Sequence, residues 1–120
     1  MERVTHFEIP SDNPKKSMTF YEKSFGWKYQ QFGTEPYWLA FTGDENTPGI
    51  NGEIMKKKHL QHPLVSSISV KDIRNTVKKI ENNDGTFVVP LMSIPGVGWL
   101  ANFKDPDQNI FGVMQDDKNA

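Results

Sequence analysis

One pattern constrains this chain more than any other: a single order of elements is written twice along it. Thr5 to Ile9 reads as a short strand, which Pro10 closes because it has no N–H to donate. Ser11-Asp12-Asn13-Pro14 then supplies a capping side chain followed by proline at the first helical turn. From Lys15 to Phe25, Met18, Tyr21 and Phe25 recur at three- and four-residue spacing, with Phe20 beside them and Lys15, Lys16, Glu22 and Lys23 between. That spacing predicts an amphipathic helix, and Gly26 stands where a left-handed terminating residue is wanted. Three strands follow: Trp27 to Phe32, Tyr37 to Thr42, and Gly49 to Met55.

The second half repeats the plan. Leu64 to Val70 is a strand, Asp72 caps a helix with Ile73, Val77 and Ile80 on one stripe, and Gly85 stands at the stop position. Thr86 to Val89 is a strand closed by Pro90, followed by Trp99 to Lys104 and Ile110 to Gln115, with Asp116 to Ala120 expected to fray. Gly26 and Gly85 lie 59 residues apart, which sets the repeat period. The expectation is an α+β chain forming one domain over residues 1–120. Its two βαβββ modules cover 4–55 and 64–115, joined by a polar, basic connector at 56–63.

Composition narrows the function classes. The 120 residues carry 14 Lys plus Arg against 15 Asp plus Glu, for a net charge of -1. That balance gives no footprint for nucleic acid or an anionic membrane. With no cysteine there is no disulfide, thiolate metal site or cysteine nucleophile. No apolar run reaches signal-peptide or membrane-span length, so a cytoplasmic location is expected. Eight Phe, three Trp and three Tyr can fill a core or line a pocket for a flat ligand.

Several segments, in order, resemble the vicinal oxygen chelate superfamily, and most of all its small glyoxalase and bleomycin-resistance members. They are His6-Phe7-Glu8-Ile9-Pro10, Phe20-Tyr21 with Phe25-Gly26-Trp27, Pro95-Gly96-Val97-Gly98-Trp99, and Asp105-Pro106-Asp107 through Asn109-Ile110-Phe111-Gly112. The resemblance runs from Val4 to Gln115. It implies that the two modules curl a mixed sheet into a bowl around a pocket. In metal-using relatives, four inward strand positions supply ligands to a Lewis-acidic ion.

Carried over position by position, those four places are His6, Glu53, Val65 and Gly112. Val65 and Gly112 have no donor side chain, whereas a catalytic zinc takes three protein ligands and an iron facial triad two His and a carboxylate. The expectation is therefore no metal or other cofactor, the alternative being a divalent ion held in part by His6 and Glu53. His6 beside Glu8 can act as hydrogen-bonding group or general base, or be a satisfied core histidine. Glu53 can pair with His6 across strands or stand at an edge near Lys56 and Lys57. His59-x-x-His62 sits in the Lys-rich connector and reads as solvated loop histidines. Ile94 to Trp99 lacks the pattern of a phosphate loop and reads as a close backbone approach to a ligand, with Trp99 as a wall.

The pocket candidates are His6, Glu8, Trp38, Glu53, Trp99 and Phe103. Two readings follow: a metal-independent binder of a small organic ligand, or a metal-dependent lyase, isomerase or dioxygenase. Unpaired strand edges, and the habit of small relatives, lead to the expectation of a homodimer.

Overall fold

The computed structural model describes residues 2–58 and 63–120; His59 and His62 lie outside them. Two compact units emerge, His6–Leu64 and Met1–Thr5 with Val65–Ala120. Each carries the βαβββ order read from the sequence. Strand β1 (Arg3–Ser11) gives its first residues to the C-terminal unit and the rest to the N-terminal unit.

In the N-terminal unit, α1 (Pro14–Phe25) begins under Asn13, whose side chain accepts from Lys16 N, with Pro14 at the first turn. Gly26, at φ 77°, ends it in the left-handed region that a side chain disfavours. Strands β2 (Lys28–Gln31), β3 (Tyr37–Phe41) and β4 (Asn51–Lys56) follow. Their order in the sheet is β2-β3-β4-β1, with β1 parallel to β4 and the other pairs antiparallel. Strand side chains alternate between faces. Phe7, Trp38, Ala40, Gly52 and Ile54 therefore share one face. On that side Phe7 meets Trp27, Trp27 stacks on Tyr21 of α1, and the Tyr29 hydroxyl donates to Met18 O of the same helix. Ala40 and Ile54 are sealed there, and burying a side chain the size of Ile54 contributes about 1.5–3 kcal/mol.

In the C-terminal unit, β5 (Val65–Ser69), α2 (Ile73–Asn82), β6 (Thr86–Ile94), β7 (Gly98–Lys104) and β8 (Ile110–Asp116) repeat the plan, in the sheet order β5-β8-β7-β6. Asp72 caps α2 as expected, and Gln115 Oε1 accepts from Ile73 N. The core is Val70, Ile73, Ala101 and Val113.

Four details differ from the sequence reading. Strand β1 runs through Pro10 to Ser11, in register with Met55 and Lys56. A parallel ladder engages alternate residues of a strand on each side, so one missing N–H does not end the pairing. Strand β6 runs through Pro90 to Ile94, because Pro90 falls among register shifts on the outermost strand, where an absent donor costs nothing. The left-handed residue after α2 is Asp84 (φ 70°), not Gly85. Finally, the C-terminal residues are held rather than frayed. Asp117 N donates to Val97 O, Gly96 N to Ala120 O, and the Trp99 indole to Asp117 Oδ2. Turn and indole donors thus find their acceptors in the tail. Among the described residues, no helix is long and apolar enough to cross a membrane.

Candidate functional site

The sheet face of the N-terminal unit opposite the α1 side is where charge collects. Glu8 and Glu53 are Cα partners on parallel neighbours, and Leu39 of β3 pairs with Glu53 from the other side. The period of two then sets His6, Glu8, Glu53, Tyr37 and Leu39 on one face. Glu53 Oε1 is the shared atom. It accepts the Tyr37 hydroxyl at 3.1 Å and lies 3.5 Å from His6 Nε2. Little of this pair reaches water: the side chains of His6 and Glu53 are 16% and 14% exposed.

The Glu53 carboxyl is raised to about 7, by burial first and then by the nearby Glu8 carboxylate, with the Tyr37 hydrogen bond offsetting part of the rise. Burial also raises Glu8, with Lys58 opposing. The Tyr37 phenol is pushed far above its ordinary value, by burial first and then by the charges of Glu53 and Glu8. It therefore stays a donor throughout the working pH range. A carboxyl that titrates near neutrality, with a fixed phenol donor and an imidazole on the same oxygen, can donate or accept a proton, or a hydrogen bond, to a bound molecule.

The structure brings together His6, Glu8 and Glu53 of the sequence candidates. Trp38 lies on the other side of the same sheet, paired with the buried Ile54. Trp99 and Phe103 belong to the C-terminal unit and pack against its core; the Arg74 guanidinium lies 5.1 Å from the Trp99 ring centre, and Phe103 meets Phe87 and Phe111. Sequence reasoning missed Tyr37. The signal was there in the alternation of Tyr37, Leu39 and Phe41 against Trp38 and Ala40, but choosing between the faces needs the pairing of Leu39 with Glu53.

The repeat extends to register. Glu8 pairs with Glu53, and Ser67 pairs with Gly112, each partner 59 residues further along. The same offset carries His6 to Val65. The C-terminal unit thus places Val65, Ser67 and Gly112 where the N-terminal unit has His6, Glu8 and Glu53. This bears on a metal. Of the four positions the resemblance assigns to ligands, two have no donor atom in the side chain, and the carboxylate of a third is engaged by Tyr37 and His6. Among the described residues, no three His, Cys, Asp or Glu side chains form a set that could hold an ion. The donors present do not fit a divalent metal.

By sequence, no curated protein matches this chain. Solved structures do match it in fold. A glyoxalase/bleomycin resistance protein/dioxygenase superfamily member from Vibrio splendidus 12B01 superposes with a TM-score of 0.68 at 17% identity, covering 98% of this chain and 100% of its own. An NAD-dependent benzaldehyde dehydrogenase from Legionella pneumophila gives 0.68 at 14% identity, covering 93% and 98%. Methylmalonyl-CoA epimerase from Mycobacterium tuberculosis gives 0.66 at 8% identity, covering 95% and 87%. At these identities the likeness is one of fold, the α+β glyoxalase/bleomycin resistance fold. The sequence itself matches the profile of one family across residues 3–113, and on that match the chain belongs to the Glyoxalase/Bleomycin resistance protein/Dioxygenase superfamily.

Proposed function

We propose that this chain binds a small organic ligand without a metal, through the polar face built by His6, Glu8, Tyr37 and Glu53. The observation that carries the reading is the shared Glu53 oxygen. Glu53 Oε1, at the one acidic ligand position in the pattern, accepts the Tyr37 hydroxyl and lies 3.5 Å from His6 Nε2, which supports a role in polar recognition. A binder needs a few fixed polar groups to orient its ligand, and this face carries such groups. The reading includes a cytoplasmic homodimer with no nucleic-acid or membrane partner, in keeping with the balanced charge and absent cysteine.

The test is elemental analysis of untagged protein, followed by thermal-shift screening of wild type and Glu53→Gln against a small-molecule panel. The expected result is less than one-tenth of a metal ion per chain, with hits on wild type that Glu53→Gln weakens. One divalent ion per chain, lost in His6→Ala, would overturn the reading in favour of a metal-dependent lyase, isomerase or dioxygenase.

One observation favours a second reading. A buried carboxyl that titrates at about 7 is suited to taking a proton from carbon next to a carbonyl. Solvent deuterium entering a bound carbonyl compound with wild type but not with Glu53→Gln would identify such an enzyme.

A further inference from the structure

The C-terminal unit carries a second polar feature, of different chemistry. Ile68 and Val113 belong to the packing under α2, so Ser67 and Gly112, one step along each strand, face the other way. Asn102 is the Cα partner of Gly112 from β7 and shares that face. The two polar side chains converge where Gly112 has none. A Cβ built there would lie 2.6 Å from Ser67 Oγ and 2.9 Å from Asn102 Oδ1. Glycine at 112 is therefore what leaves room for the hydroxyl and the amide beside the same point of the strand. Ser69, two residues on, is already paired with Thr5 Oγ1 at 2.6 Å. Ser67 and Asn102 make no side-chain hydrogen bond among the described residues. Ser67 is 4% exposed, yet no sealed side-chain oxygen or nitrogen among these residues lacks a partner, so its hydroxyl is not wholly closed off from water. Beside the pair on the same face, Leu100 and Met114 are partners, and Met92 pairs with Leu100 at 41% exposure.

We propose that Ser67 and Asn102 form a recognition site for an uncharged amide-like group, with Leu100 and Met114 as its apolar wall. A hydroxyl and a carboxamide offer adjacent donors and acceptors and no charge, which matches a group that itself pairs a donor with an acceptor. The pair itself offers an ion no countercharge to offset lost hydration, the nearest charges on this face being Lys104 and Asp116 further along β7 and β8. Methionine and leucine beside the polar pair suit a flat apolar body attached to that head group. The inference rests on the reading that the chain binds a small organic ligand, and it names a chemistry distinct from the titratable face of the N-terminal unit.

The experiment titrates the full-length, nitrogen-15-labelled chain with benzamide, benzoate and benzylamine, which share a ring and differ in head group. Benzamide is expected to shift the Asn102 side-chain amide and the Gly112 backbone amide more strongly than the two ions do. Ser67→Ala is expected to weaken benzamide about fivefold, the size of one hydrogen bond. The partly exposed Asn102→Ala provides the same readout should Ser67→Ala not fold. Binding of any probe only at Tyr37 and Glu53 overturns the site while leaving the ligand-binding reading intact. Equal binding of all three probes at Asn102 overturns the amide preference. Absence of binding anywhere overturns both the site and the reading beneath it.

Discussion

Replacing Glu53 by glutamine should change how stability depends on pH, in a direction set by the structure. In the folded chain the carboxyl holds its proton up to about 7, whereas its ordinary value is 4.5. Between those values the folded state carries a proton that the unfolded chain has released. Stability from this group is therefore present below about 4.5 and is lost as pH rises through about 7. The full separation corresponds to roughly 3 kcal/mol. The imidazole 3.5 Å away and the 14% of side-chain surface still in water reduce the expectation to about 2 kcal/mol between pH 5 and pH 8. Glutamine keeps an acceptor for the Tyr37 hydroxyl and has no charge to bury. The assay is urea unfolding at 25 °C of wild type and Glu53→Gln at both pH values. Wild type should lose about 2 kcal/mol more than the variant on going to pH 8, or roughly 8 °C in Tm for a chain of this size. Parallel curves for the two proteins would refute the argument, since they would mean that Glu53 is ionised in the folded state throughout.

Three further outcomes are expected. Tyr37→Phe removes the one hydroxyl that favours ionised Glu53, so the Glu53 midpoint should move up in a carbon-13 carboxyl titration, with about 1 kcal/mol of stability lost. Gly52→Ala places a Cβ 2.5 Å from Phe7 O and 2.6 Å from the Phe7 ring; backbone cannot give way cheaply, so denaturant unfolding should show a loss of at least about 2 kcal/mol. Native mass spectrometry at micromolar concentration should show two copies of the 13.7 kDa chain; a monomer would remove the homodimer from the proposal.

Much of the fold was legible in the sequence because its signals are local. Asn13 before Pro14, Gly26 after Phe25 and Asp72 before Ile73 mark helix ends through hydrogen bonds made within a few residues, and each is found at its place. The doubled βαβββ order was legible for the same reason. What failed was local evidence used for non-local questions. Pro10 and Pro90 read as strand ends, because whether a missing N–H matters depends on which neighbour lies on that side. The tail read as frayed because its partners, Gly96, Val97 and Trp99, are near it only in three dimensions.

The candidate site divides in the same way. The sequence by itself determined that His6, Glu8 and Glu53 were available and that Val65 and Gly112 could not serve as ligands, since side-chain chemistry is a property of the residue. Only the tertiary structure decided that Tyr37, not Trp38, faces Glu53, and that Ser67 and Asn102 both lie against Gly112. Neighbouring strand residues point to opposite faces, so a shift of one position in pairing exchanges the two sets. That register is fixed by hydrogen bonds between segments far apart in the chain, and no local pattern encodes it.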